Sequence, residues 1–293
     1  MIRARNEHTL AQACEVSGRG YWSGQPTTVR ILPASLGTGI RLVRTDLAEQ
    51  PELAAVLDVR HDHELRTVLA AGAARFAMIE HLMAALYALE IDNCVVEIDA
   101  EEFPGLDGSA NAYVNALRAS GLVIQAAPRR QLIIDQTVRV GTAASWIECS
   151  PSLDGRAHFG YQLDYGAGSP IETQTYQSVL TPDTFCREIA PARTFVTSQQ
   201  ATALRAAGVA GHVRNQDLLV FGEEGPIENR LRYPDECARH KTLDLIGDLA
   251  LTGLELIGRI VSHRGGHNLN AKMAQRLKRM SLRDTTFERR RAA

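Results

Sequence analysis

The hydrophobic and polar positions in the first part of the chain follow a strand period and then a helix period. Short alternating or apolar runs, separated by glycine-rich or small-residue turns, predict strands at 28–33, 40–44, 65–69, 75–79 and 94–98. Helix-forming residues then run from Glu80 to Leu89, with the larger apolar side chains on one face. A second helix is predicted at 111–120, where Gly121 ends it.

The rest of the chain repeats this mixture of strands and helices. Strands are predicted at 131–134, 137–140, 146–149, 157–163, 218–221 and 256–261. Helices are predicted at 181–189, 199–207, 235–253 and 269–279. The stretch 125–130 separates a finished helix from a new set of strands, so we expect two domains, at 1–126 and 127–293. Each combines a sheet with helices, which predicts two similar layered domains of the α+β class.

Composition narrows the kind of protein. With 293 residues, 45% of them apolar, the chain suits two ordinary globular domains, and its formal net charge of −2 argues against nucleic-acid partners or an electrostatic membrane anchor. No run of 18 apolar residues and no apolar signal-peptide core is present. Five scattered cysteines without a C-x-x-C pair exclude a cysteine zinc site and favour a reducing compartment. We therefore expect a cytoplasmic protein without integral membrane association.

The segment 239–248 carries the sharpest candidate chemistry. On the predicted helix, His240 and Asp244 are four residues apart, so an imidazole and a carboxylate project from one face and can bind one cation. Asp248 continues this face one turn further. Taken alone, the spacing is more often a pair on an exposed helix surface.

Two other histidines follow features suited to a catalytic site. Glu80 and His81 lie where a strand meets a helix, so that His81 could be a third metal ligand and Glu80 could lie over its open position. By itself, Glu80 is better explained by the helix dipole. The paired glycines before His267 predict a tight turn, which suits a positioned acid more than a packed core histidine, although taken alone this feature is ambiguous. His61 and His63 share one face of a strand, but without a helical partner we interpret them as a solvated strand end.

Taken together, these features resemble the family of UDP-3-O-acyl-N-acetylglucosamine deacetylases. The resemblance covers nearly the whole chain, and its motifs occur in the family's order. They lie at 44–47, 80–86, 91–93, 107–110, 192–195, 239–249 and 266–270. The resemblance implies two α+β domains with the active site between them, and hydrolysis of an N-acetyl group from a UDP-linked acyl amino sugar in lipid A biosynthesis.

The resemblance also implies roles for particular residues. The zinc ligands are implied to be His81, His240 and Asp244. Glu80 is implied to be the general base, and His267 the imidazolium that stabilises the oxyanion and protonates the leaving amine, oriented by Asp248. Thr194 is implied to help hold the tetrahedral oxygen. Contact with the substrate is implied for Lys241, Arg264 and Phe195.

The chain departs from the family pattern around the substrate. Trp22 occupies the glycine-flanked turn where the family has a histidine, and Ser145 stands where many members have a lysine facing the diphosphate. Arg264 replaces a lysine but keeps its charge. Thr197 lacks the bulky aromatic expected along the passage for the acyl chain. These departures leave two alternatives open, a related zinc deacetylase acting on another N-acylated sugar or amide, and a non-catalytic binding protein with the same fold.

Overall fold

The computed structural model describes the backbone of residues 5–291 and the side chains of residues 5–282. The first half of the chain forms ten strands, β1 Asn6–Leu10, β2 Cys14–Arg19, β3 Pro26–Pro33, β4 Ile40–Arg44, β5 Glu52–Ala54, β6 Arg60–His61, β7 Val68–Ala71, β8 Ala74–Ala77, β9 Cys94–Ile98 and β10 Leu122–Pro128. Its helices are α1 Glu80–Ala88, α2 Asn111–Ser120 and the 3-10 turn Leu57–Val59.

These strands form one main sheet and two smaller ones. The main sheet has the order β2-β3-β9-β4-β5, in which only β4 and β9 are parallel. An antiparallel sheet β6-β7-β8 leads directly into α1, and β1 pairs with β10. α1 packs against α2 and α5 (Glu236–Ala250). Nearly every side chain of α1 is buried, including Glu80 and His81, so polar groups enter the protein interior on this helix.

The second half contains the other sheet and the longer helices. Its strands are β11 Gln131–Ile133, β12 Val138–Gly141, β13 Trp146–Ser150, β14 Ala157–Leu163, β15 Gln174–Val179, β16 Phe195–Thr197, β17 Leu219–Gly222, β18 Gly225–Pro226 and β19 Glu255–His263. Its helical segments are α3 Pro182–Thr184, the π-helical turn Phe185–Ile189, α4 Ser198–Ala206, α5 and α6 His267–Arg291. The main sheet has the order β12-β13-β19-β14-β15, and β11 also pairs with β19.

The α+β class is confirmed, with sheets and helices layered in both halves. The helix predicted at 181–189 is confirmed as a helical segment, in which Phe185–Ile189 is π-helical. The stretch that we expected to separate the domains is largely strand, since β10 runs to Pro128 and pairs with β1. The division at 126/127 therefore falls inside β10, and it stays a prediction. Among the described residues, no helix is both long and apolar enough to span a membrane.

The crossing of α1 and α5 depends on Gly247. A Cβ atom at Gly247 would overlap the carbonyl oxygen of Glu80, on the facing turn of α1. The backbones of the two helices can therefore approach closely only because this residue has no side chain. This close approach brings His81 on α1 near His240 and Asp244 on α5.

We expect Gly247→Ala to lower the free energy of unfolding by about 1–3 kcal/mol, the usual cost of overpacking. Alanine is intrinsically better than glycine inside a helix by about 1 kcal/mol, so a net loss would come from the contact with Glu80. Urea unfolding measures the change. Gly211→Ala is the control, because a Cβ there meets nothing within 4 Å. Equal stability of the two variants would contradict the close-approach explanation.

Candidate active site

A cavity of about 750 Å³ lies between the two halves and contains almost the whole predicted site. All the predicted site residues except Asp248 line it, namely Glu80, His81, Thr194, Phe195, His240, Lys241, Asp244, Arg264 and His267. Asp248 lies behind His267, to which it is hydrogen-bonded. The structure therefore brings together residues that are up to 187 positions apart in the chain, from Glu80 to His267.

Three of these side chains form a compact group that could hold a metal ion. Ligand atoms of His81, His240 and Asp244 all lie within 4.8 Å of one another, and the three residues are buried. Asp244 Oδ1 is 3.4 Å from His240 Nε2 and 3.9 Å from His81 Nε2. Among the described residues, no other group of histidines, cysteines and carboxylates has this geometry. Two imidazoles and one carboxylate, with room for water in a cavity, are a typical donor set of catalytic zinc.

The protonation of this group also suits a metal. Burial, with a contribution from His240, lowers the pKa of His81 to about 3, and burial likewise lowers the pKa of His240. His240 Nδ1 lies 3.1 Å from the carbonyl oxygen of Ala192. If Nδ1 donates there, the lone pair of Nε2 faces Asp244, as metal-binding histidines are commonly oriented. Both imidazoles are thus neutral, which is the form that binds metals.

Asp244 is held as a carboxylate by the charges around it. Burial alone would raise its pKa, but the positive charges of Lys241 and His267 offset burial, and the pKa lies well below its usual range. Lys241 Nζ donates to Asp244 Oδ2 at 2.6 Å. One carboxylate oxygen therefore faces the imidazoles while the other is bound to the ammonium group of Lys241.

Glu80 is buried beside this group. Its Oε2 accepts a hydrogen bond of 3.0 Å from the backbone N–H of Thr67. Burial, together with the charges of Asp244 and Asp248, raises the pKa of Glu80 to about 7, although His267 acts in the opposite direction. A carboxyl group with this pKa can both take up and release a proton near neutral pH, as a general base must.

His267 and Asp248 form a buried imidazole–carboxylate pair. His267 Nδ1 donates to Asp248 Oδ2 at 2.8 Å, and Asn270 Nδ2 donates to the same oxygen at 2.8 Å. Burial would lower the pKa of His267, but the carboxylates around it, with Asp248 foremost, more than offset burial and raise the pKa to about 9. His267 is therefore an imidazolium at neutral pH, able to donate a proton from Nε2.

Thr194 and Phe195 lie where the polar part of the cavity meets an apolar arm. The backbone of Thr194 is held by its N–H, which donates to Gly108 O at 2.8 Å. The ring of Phe195 has its centroid 6.2 Å from that of His240. Beyond them the cavity wall is largely apolar and includes Val196, Ala203, Leu204, Ala210, Val213 and Leu218, with Gln200 as a polar member. An arm of this composition suits a hydrocarbon chain.

The residues that depart from the family pattern have clear structural positions. Trp22 lines the cavity, and the guanidinium of Arg66 lies 4.6 Å from its ring centroid. Ser145 does not line the cavity; its hydroxyl donates to the carbonyl oxygen of Arg264. The guanidinium of Arg264 is paired with Asp164 at 2.6 Å. The residues Glu80, His81, His240, Asp244 and His267 line the cavity despite these two departures.

Thr197 is not part of the cavity wall. Its hydroxyl accepts from the N–H of Gln200, and its own N–H donates to the Gln200 side chain, so Thr197 caps the start of α4. Its neighbours Phe195, Val196 and Gln200 line the cavity instead. The side chain of Thr197 therefore serves as a helix cap rather than as part of the cavity wall.

The sequence interpretation missed two residues beside the site. Thr67 is fully buried and contacts both Glu80 and Asp248. Arg66 is half-buried over the ring of Trp22, and among the described residues its buried Nε has no hydrogen-bond partner. Neither belongs to a motif quoted above. Their sequence signal was limited to their position just before the strand β7, which pairs with β8 ahead of α1, the helix that begins at Glu80.

The pair His61 and His63 does not belong to the candidate metal group of His81, His240 and Asp244. His61 is exposed on β6, and His63 packs edge-on against Trp22 with a centroid distance of 6.4 Å. Neither residue lines the cavity. This agrees with our interpretation of the pair as a polar strand end.

Comparisons with known proteins agree on one family. The family model described as UDP-3-O-acyl N-acetylglycosamine deacetylase matches residues 7–279. The chain is 40% identical over 273 residues to the UDP-3-O-acyl-N-acetylglucosamine deacetylase of Brucella ovis, covering 92% of this chain and 94% of the relative. The enzymes of that name from Brucella canis and Brucella melitensis biotype 2 match with the same identity and coverage.

Proposed function

The chain belongs to the UDP-3-O-acyl N-acetylglycosamine deacetylase family, and we propose that it hydrolyses the N-acetyl group of UDP-3-O-acyl-N-acetylglucosamine. The products are acetate and the free amine, in a step of lipid A biosynthesis. One observation carries the proposal beyond family membership: a metal-type group, a buried carboxyl and an imidazolium–carboxylate pair all meet in a single cavity. We also propose a cytoplasmic location, in keeping with the five free cysteines.

The metal that we propose is one Zn²⁺, held by His81, His240 and Asp244. Two neutral imidazoles and a carboxylate fit this ion in ligand type and in charge. When bound, the ion would make a water molecule more acidic and polarise the amide carbonyl. Its three ligands come from α1 and α5, so the close packing of these helices organises the site before the metal arrives.

The other residues divide the proton transfers of amide hydrolysis between them. Glu80 takes a proton from the attacking water as the new carbon–oxygen bond forms. The Thr194 hydroxyl and the charge of His267 stabilise the negative charge that develops on the amide oxygen. When the carbon–nitrogen bond breaks, His267 gives a proton to the leaving nitrogen, which would otherwise depart as a poor amide anion. Asp248 holds His267 in the required orientation and keeps it charged.

The cavity also supports the identity of the substrate. The apolar arm beyond Phe195 suits the 3-O-acyl chain, and the cations Lys241 and Arg264 lie on the cavity wall, where the diphosphate needs compensation of charge. Both cations are already paired, with Asp244 and Asp164. Each cation can therefore contribute to binding only if a phosphate of the substrate binds it alongside its carboxylate partner or in place of it.

The direct test is mass spectrometry of the reaction products from UDP-3-O-acyl-N-acetylglucosamine, with zinc-loaded and chelator-treated protein compared. We expect a loss of 42 mass units, that of C₂H₂O, with the zinc-loaded protein only, because removing the ion removes the activated water. Simple N-acetylglucosamine is the control substrate, since it has neither acyl chain nor diphosphate. Turnover of the simple sugar but not of the UDP-linked substrate would overturn the proposed substrate, and no turnover of either would overturn deacetylation.

A further inference from the structure

Thr67 contacts both the proposed general base, Glu80, and Asp248, the partner of the proposed acid His267. Its backbone N–H donates to Glu80 Oε2 at 3.0 Å, and its hydroxyl donates to Asp248 Oδ1. The same hydroxyl oxygen lies 3.2 Å from His267 Nδ1. The residue is completely buried, so water does not compete for these contacts. Among the described residues, the carboxylate of Glu80 and that of Asp248 are joined through this single residue.

Asp248, His267 and Thr67 contact one another pairwise. Oδ2 of Asp248 receives hydrogen bonds from His267 Nδ1 and Asn270 Nδ2, while Oδ1 receives one from the Thr67 hydroxyl. The two oxygens are therefore held from different elements, α6 on one side and the segment before β7 on the other. Loss of the Thr67 hydroxyl would leave Oδ1 buried without this donor, which favours rotation of the carboxylate away from its present plane.

The position of Thr67 in the chain explains why one residue can serve both groups. It lies immediately before β7, and its carbonyl oxygen accepts from the N–H of Met78, two residues before Glu80. The base is thus anchored through the antiparallel β7–β8 hairpin, and the Asp248–His267 pair is anchored to the same point by the hydroxyl. The base and the acid are held relative to one another by a short, rigid connection.

We propose that Thr67 is a positioning residue whose hydroxyl orients Asp248, and through it His267, for proton donation. The proposal rests on the proposed deacetylase function for its kinetic meaning. The side chain of Thr67 does not line the cavity, and its hydroxyl acts through Asp248. Its backbone N–H, which no side-chain substitution removes, holds Glu80 independently of the hydroxyl.

The test is Thr67→Val, which keeps the side-chain shape and the backbone N–H but removes the hydroxyl. We expect kcat for the UDP-linked substrate to fall roughly 10- to 100-fold, the usual cost of losing an orienting partner, with KM and zinc content close to wild type. Thr67→Ser, which restores the hydroxyl, should recover most of the rate. Thr9→Val is the matched control, because Thr9 is also buried with two hydroxyl hydrogen bonds but lies outside the cavity.

A double-mutant cycle separates positioning from a general loss of structure. In a His267→Gln background, Thr67→Val should cost less than a few-fold, because the group it orients is gone. Equal losses in both backgrounds would overturn the proposal, as would a Thr67→Val enzyme with wild-type kcat. If the valine variant does not fold, Thr67→Ala takes its place in the same cycle.

A spectroscopic measurement keeps this proposal distinct from the proposed function. The Nδ1 proton of His267 should give a downfield proton resonance, assigned by its loss in His267→Gln, and Thr67→Val should shift it while Thr9→Val does not. If the wild-type protein lacks deacetylase activity but the resonance shifts, the function fails and the Thr67 contact stands. An unshifted resonance overturns the role of Thr67 whatever the activity.

Discussion

Glu80→Gln is expected to lower kcat/KM for deacetylation roughly 10²–10⁴-fold while zinc stays bound. Glutamine has nearly the same shape and can still accept the hydrogen bond from the Thr67 N–H, but it cannot take a proton from the attacking water. Glu80 is not a member of the three-residue group that could hold the metal, so its loss should act on the rate. Steady-state kinetics and the zinc content of the same samples, measured by mass spectrometry, check both expectations.

The control for this experiment is Asp92→Asn, which also neutralises a buried carboxylate. Asp92 is paired with Arg5 and Arg129 and does not line the cavity, so the variant should lose stability and keep the rate per folded molecule. A Glu80→Gln enzyme with unchanged kcat/KM would remove Glu80 from the role of base. A rate loss that zinc loss fully explains would remove it as well.

The parts of the site that could be predicted from sequence are those fixed by local chemistry. His240 and Asp244 face the same way because they are one helical turn apart, and almost every residue of α5 is buried. The change from strand period to helix period before Glu80 predicted the first residue of α1 correctly. The resemblance then supplied what periodicity does not contain, namely that α1, α5 and the start of α6 meet.

Other features depend on contacts between distant segments and have no local signal. The hydrogen bond between Thr67 and Asp248 spans 181 positions, and a threonine in a strand has many ordinary explanations. β10 begins with Leu122, Val123 and Ile124, which are all exposed. The stretch 125–130 was expected to separate the domains because a predicted helix ends before it and new strands follow, but β10 continues to Pro128. Its strand structure comes from pairing with β1, more than 110 residues earlier.

His267→Gln should remove the alkaline limb of a bell-shaped pH profile and lower the rate roughly 10²–10⁴-fold. In the wild-type enzyme the rate should rise as Glu80, with a pKa of about 7, loses its proton. It should fall again as His267, with a pKa of about 9, loses the proton that the leaving amine needs. The optimum therefore lies between these values, and a bound cation beside Glu80 would extend the acid side to lower pH. The logarithm of kcat/KM against pH, with zinc content checked at each pH, measures both limbs.

Asp248→Asn tests the physical cause of the alkaline limb. Asparagine keeps the shape of the side chain but removes the negative charge that chiefly opposes the effect of burial on the pKa of His267. The imidazolium should then lose its proton at lower pH, so the alkaline limb should move toward neutrality while the acid limb, which belongs to Glu80, moves much less. An alkaline limb that stays in place in Asp248→Asn, or persists in His267→Gln, would assign that proton to another group. Lys241 is the nearest alternative, but Asp244 and two tyrosines hold its pKa well above the usual range, too high to produce a limb near pH 9.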